Sequence, residues 1–121
     1  MTCLKNVIAG YKENNLPLDN IWSDIDFMQD KADFTIDESR FPLDQMKEIT
    51  DNYQWIPIVD AGIGVGDGFA YVEGHKRDVF IKDGFGKEEY KGEVWPGATT
   101  FVDFFHPNAT NYWKDMLAVL Y

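Results

Sequence analysis

Acidic side chains supply the first candidate chemistry. In the run Ile21-Trp22-Ser23-Asp24-Ile25-Asp26-Phe27-Met28, Asp24 and Asp26 stand two residues apart at the end of a largely apolar stretch. Carboxylates in such a place are costly unless they are hydrogen-bonded or open onto solvent. Two acids at this spacing suit one of two tasks: accepting hydrogen bonds from ligand hydroxyls, or sharing acid–base work. The plain alternative is that loop amides satisfy both. Asp60 repeats the pattern at the end of Trp55-Ile56-Pro57-Ile58-Val59-Asp60, and taken alone it reads first as a turn-former before a glycine-containing loop.

Other residue types offer less. Gly62-Ile63-Gly64-Val65-Gly66-Asp67-Gly68 has no G-x-G-x-x-G register and no Gly-Lys-Ser/Thr, so it reads as a loop rather than a phosphate cradle. His75, among Glu73, Lys76 and Arg77, reads as solvated, and His106 before Pro107 as a helix start. Neither has metal-ligand company at useful spacing, so no metal or cofactor is expected. Trp95, held by Pro96-Gly97, is positioned either for stacking on a flat ligand or for loop packing. Asn108-Ala109-Thr110 is a glycosylation acceptor triplet of a kind that also arises by chance.

The elements that must hold these residues follow from periodicity. Leu4, Val7, Ile8 and Tyr11 are spaced as in a helix, which the polar run 12–15 ends. A strand is predicted over Asn20–Phe27, with Ile21, Trp22 and Ile25 buried. Alternation would then place Trp22, Asp24 and Asp26 on one face. Pro42 marks a first helical position, and Leu43, Met46 and Ile49 give a stripe running to about Asn52. The apolar run 55–60 predicts a strand covered on both faces. Seven of the ten glycines lie between Gly62 and Gly86, so 62–100 reads as a long glycine-rich loop with short strand-like pieces such as 78–82. A helix from near Pro107 closes the chain, burying Tyr112, Trp113, Met116, Leu117 and Leu120. The order α–β–α–β–loop–α is α/β, about three-eighths of a (β/α)8 barrel, which takes ~250 residues.

Composition narrows the partners. With 121 residues, 45% hydrophobic and 16% aromatic, the chain can build a core and is not disordered. Twenty-one acids against eleven bases give a net charge of −10, which disfavours nucleic acid. Neutral ligands rich in hydroxyls, such as sugars, fit a carboxylate-lined site. The single cysteine, Cys3, excludes an internal disulfide. No run approaches the ~20 apolar residues of a membrane span.

Several of these segments, taken in order, spell a pattern. Leu16-Pro17-Leu18-Asp19, Ile21 through Met28 and then Asp33-Phe34-Thr35 resemble the second-strand region of glycoside hydrolase family 31, roughly I-P-L-D-x-x-W-x-D-I-D-Y-M followed by D-F-T. Ile58 through Ile63 is similar to the family's I-x-D-P-x-I. Val79-Phe80-Ile81, Gly92 through Thr99, Phe101 through Phe104, and Asn108 through Met116 resemble V-F-I, G-x-V-W-P-G-x-T, F-P-D-F and W-W-x-D-M. The likeness covers essentially all 121 residues and leans toward the lysosomal, maltase-glucoamylase and sucrase-isomaltase type of α-glucosidase. Departures are Phe27 for Tyr, Ala61 and Val102 for Pro, and Tyr112 for Trp.

The resemblance implies a partial (β/α)8 (TIM) barrel, about strands 2–3 with flanking helices. It implies retaining hydrolysis of terminal α-linked glucose, with two carboxyl groups about 5–5.5 Å apart. Asp24 would then bind glucose hydroxyls, Ile25, Ile63 and Trp95 would line that subsite, and Asp26 and Asp60 would support it. The family's nucleophile lies in W-x-D-M-N-E, which these 121 residues do not contain. The expectation is therefore a barrel fragment that is inactive alone and needs the rest of its catalytic domain. A non-catalytic sugar-binding remnant and a truncated chain without activity are the alternatives. The resemblance, with Asn108, also implies the secretory pathway, lysosomal or extracellular.

Overall fold

The computed structural model describes residues 1–120. Cα packing divides them into two compact units, one of Met1–Phe27 and Ile36–Ile58, the other of Met28–Thr35 and residues 59–120.

The first unit holds helix α1 (Thr2–Glu13), strand β1 (Asn20–Ser23), a single 3-10 turn at Ile25–Phe27, helix α2 (Leu43–Thr50) and strand β2 (Gln54–Pro57). β1 and β2 pair in parallel with α2 between them in sequence, so the predicted βαβ unit is present. The strands are shorter than predicted. β1 stops at Ser23 because Asp24 accepts a hydrogen bond from its neighbour Ile25 N–H at 2.8 Å, and the chain turns into the 3-10 segment. The strand ladder therefore ends at Ser23, yet Trp22, Asp24 and Asp26 all stay on the exposed side, as alternation predicts. Burial alternates from Asn20 to Phe27, with Ile21, Ser23 and Phe27 inside and Ile25 half-buried. Trp22, expected inside, is 64% exposed, and its register partner Ile56 is exposed too, so β2 is not covered on both faces. The core centres on Phe27, which meets Phe41 and Trp55 edge-on at 6.5 and 5.3 Å. The Trp55 indole N–H donates to the buried Ser23 hydroxyl at 2.9 Å, satisfying both polar groups. In α2, Met46 and Ile49 are buried but Leu43 is exposed, and Pro42 caps the helix rather than opening it.

The second unit corrects the largest expectation. The stretch 62–100 is not a loop: it carries β3 (Gly62–Gly64), α3 (Phe69–Lys76), β4 (Gly92–Val94) and most of β5 (Gly97–Phe101). The three strands form an antiparallel sheet in the order β3-β5-β4. Glycine here serves close approach as well as turning: a Cβ on Gly62 would stand 2.7 Å from Val94 Cγ2, and Gly97 takes φ +95 where the β4–β5 hairpin closes. The strand-like piece 78–82 makes only isolated bridges, Phe80 to Val102 and Lys82 to Glu89. Helix α4 (Ala109–Leu117) closes the unit as expected, burying Tyr112 and Met116, with Trp113 and Leu117 half-buried. The Tyr112 hydroxyl donates to the Ala70 carbonyl of α3 at 2.9 Å, and Arg77 pairs with Asp115 at 2.7 Å. No closed barrel is present among the described residues.

Candidate functional site

The candidate residues fall into both units, and each group is described within its own. In the first, Asp24 is exposed at the C-terminal end of β1. Its Oδ1 is held by the Ile25 N–H, while Oδ2 takes no hydrogen bond among the described residues. It lines a cavity of about 860 Å³ together with Trp22, Asp26 and Arg40, closed on other sides by α1 and the start of α2. Ile25 is half-buried beside it. Asp26 is exposed, with Arg40 Nη1 3.9 Å from its Oδ1, while Arg40 Nη2 donates to the Asp26 carbonyl. Arg40 is itself fixed by Asp37 at 2.8 Å, and the Ser39 hydroxyl, followed by Arg40, holds the Asp37 carboxyl below the usual carboxylate range. Asp26 is thus tied to an arginine, and Asp24 presents an open oxygen. The two do not form an acid–base pair by any direct contact.

In the second unit, Asp60 lies beyond the end of β2, where its Oδ1 accepts from Gly62 N–H at 3.2 Å. That turn leads into β3, where Ile63 is buried and pairs with Thr100. Gly64, the next residue, would bring a Cβ within 3.3 Å of Pro96, so β3 abuts the hairpin that carries Trp95. Trp95 itself is 41% exposed at the hairpin tip, with the Pro96 ring limiting the backbone beside it. The backbone at the tip is thus constrained, and the side chain is partly open. Asn108 precedes α4 and is exposed, with its Nδ2 donating to the Arg77 carbonyl at 3.1 Å. His106 Nδ1 accepts from Asn108 N–H at 3.2 Å in the turn before α4, whose N-cap is Asn108 rather than His106.

Two features escaped the sequence reading. Asp33 appeared there only as part of a pattern, yet it is buried, and its Oδ1 accepts the Asp60 N–H at 2.9 Å. Burial, opposed by that hydrogen bond and reinforced by the Asp60 charge, pushes its pKa up to about 7. The other is a cluster around Glu89, whose carboxylate takes the Tyr71 hydroxyl at 3.0 Å and His75 Nδ1 at 2.6 Å. His75 is thus exposed but partnered rather than simply solvated. No group of three or more potential metal ligands occurs among the described residues, and none of their helices is long and apolar enough to cross a membrane.

A parallel βαβ unit followed by a small antiparallel sheet, with a carboxylate at a strand's C-terminal end, defines a piece of an α/β barrel-type protein. The family model for the glycosyl hydrolases family 31 TIM-barrel domain matches residues 2–121. The chain belongs to glycoside hydrolase family 31. It is 40% identical to a probable alpha/beta-glucosidase of Arthroderma benhamiae, over 90% of this chain and 13% of that protein. It is 42% identical to an alpha-glucosidase of Mucor javanicus, over 96% of this chain and 15% of that one. Among solved structures it resembles the catalytic subunit of an ER glucosidase II heterodimeric complex, with a TM-score of 0.81 and 28% identity over 92% of this chain and 12% of that one. A family 31 alpha-glucosidase from Bacteroides thetaiotaomicron is similar at TM-score 0.74 and 30% identity, over 93% of this chain and 20% of that one. The chain therefore spans about an eighth to a fifth of the length of these relatives.

Proposed function

We propose that this chain supplies part of the glucose subsite of a retaining α-glucosidase acting on the terminal α-linked glucose of oligosaccharides or glycans. The observation that carries the reading is Asp24. One carboxylate oxygen is fixed by the adjacent Ile25 N–H, which sets the side-chain direction, and the other is free at the strand's C-terminal end. A preorganised, partly satisfied carboxylate accepts sugar hydroxyls without first giving up a protein partner. Asp26 and Arg40 brace the segment behind it. Ile25 adds apolar surface beside Asp24. Trp95 offers a ring for the flat face of the sugar, with Ile63 buried in the sheet that holds the hairpin.

None of these residues is assigned bond-breaking chemistry. The nucleophile and the acid/base are placed elsewhere in the catalytic domain, which makes the rest of that domain the chain's obligate partner. Asn108 is proposed as a glycan acceptor in a secretory, lysosomal or extracellular setting. Its exposure supports this, and an N-linked sugar leaves one N–H for the Arg77 carbonyl. The test uses an aryl α-glucoside. The full-length protein is expected to release α-glucose as the first product, followed by NMR, whereas the 121-residue chain releases none. β-Glucose as the first product, or no turnover by the full-length protein, would overturn the proposal. Turnover by the chain alone would overturn the assignment of catalysis to other segments.

A further inference from the structure

We propose that Asp33 is a positioning residue that fixes the Asp60–Ile63 segment through the hydrogen bond its carboxyl accepts from the Asp60 N–H. The bond spans 27 residues of sequence and lies wholly within the second unit. Asp33 is 4% exposed, so the contact is sheltered from water, and its Oδ2 has no partner among the described residues. A buried carboxyl that leaves one oxygen unsatisfied is expensive. The cost is explained when the other oxygen does a task that no neighbouring residue does.

The residues around Asp33 make it a rigid platform. Phe34 takes φ +62, a left-handed backbone that a non-glycine residue holds only under constraint. Its ring meets Trp113 edge-on at 5.2 Å, which pins the segment to α4. Thr35 Oγ1 accepts from Gln29 N–H at 2.9 Å and donates to the Ala32 carbonyl at 2.5 Å, closing the turn from the other side. Asp33-Phe34-Thr35 thus acts as one device: the first residue grips the turn after β2, the second anchors to a helix, and the third locks the loop. The gripped turn has little freedom of its own. Asp60 Oδ1 holds Gly62 N–H, and Gly62 sits where any Cβ would strike Val94, the residue before Trp95. A shift at Asp60 therefore passes directly to the β3–hairpin contact.

The titratable group acting on Asp33 is the Asp60 carboxyl, which opposes its ionisation as burial does.

The link from this grip to sugar binding rests on the proposed function; the grip itself does not, and the two are tested separately. Amide exchange of residues 59–63 in the full-length protein, read by mass spectrometry, tests the grip. In Asp33→Ala the Asp60 amide is expected to lose at least tenfold in protection, whereas Asp33→Asn, which keeps an acceptor oxygen, stays within about threefold. Wild-type protection in Asp33→Ala, or a tenfold loss in Asp33→Asn, overturns the proposal; the second outcome can be read even where Asp33→Ala does not fold. On an α-glucoside, Asp33→Ala raises KM more than it lowers kcat, and Asp33→Asn rescues KM. An unchanged KM alongside lost protection would leave the grip intact and overturn its link to the sugar subsite.

Discussion

Replacing Asp24 with asparagine isolates the one atom on which the functional reading depends. Asparagine keeps Oδ1, so the 2.8 Å bond from the Ile25 N–H survives and the end of β1 keeps its shape. The change falls on Oδ2, which becomes an NH2 group that cannot accept from a sugar hydroxyl. A hydrogen bond to a charged acceptor is worth about 1.5–3 kcal/mol. At 1.36 kcal/mol per decade, its loss lowers kcat/KM roughly 10- to 150-fold. The assay is steady-state hydrolysis of maltose and an aryl α-glucoside by full-length Asp24→Asn. Urea unfolding serves as the control and is expected to match the wild type, because Asp24 is exposed and its protein contact is retained. A kcat/KM within twofold of wild type would refute the assignment of glucose binding to Asp24. A large loss of stability would refute the claim that Oδ2 has no structural partner.

Two further predictions concern the second unit. Gly74 lies in α3 with the Phe80 ring against it: a Cβ would overlap Cζ and stand 2.8 and 2.9 Å from the two Cε atoms. Phe80 cannot yield, since Tyr71 stacks on it at 5.6 Å and Tyr112 meets it edge-on at 6.1 Å. Gly74→Ala gains up to about 1 kcal/mol of helix propensity but overpacks the core at about 1–3 kcal/mol, so the urea midpoint falls; a rise would show that the ring moves freely. Asp33 sets a pH dependence of stability. Its folded pKa of about 7 lies above its ordinary value of 3.8, so its contribution is fully present below about pH 4 and is lost as pH rises toward 7. Asp33→Asn is expected to flatten that slope, worth on the order of a few kcal/mol, and an unchanged slope would assign it to another group.

Sequence alone settled the order of elements where a local pattern met a local cause. The three- and four-residue spacing of apolar side chains gave α1, α2 and α4, and the short apolar runs gave a parallel pair of strands with a helix between. The family was also legible, because its motifs keep their order along the chain. Trp95 read as positioned in a loop, and it stands partly exposed at a hairpin tip beside Pro96 and Gly97.

What lay outside the sequence's reach depended on residues far apart along it. The stretch 62–100 read as a loop because its glycines signal flexibility, yet several of them exist so that strands and rings can approach closely, a need visible only when Val94, Pro96 and Phe80 stand in place. The extent of β1 was misjudged because alternation, which burial follows through Phe27, does not require a paired ladder, and the bond from Ile25 N–H to Asp24 ends the strand at Ser23. The same bond divides the two aspartates, leaving Asp24 an open oxygen and Asp26 beside Arg40. Asp33 gave no sign of its task, since a carboxyl's burial and its grip on an amide 27 residues away are properties of packing. Local spacing determined which residue types were available; the folded chain decided which carboxylate is free, which is paired and which is buried.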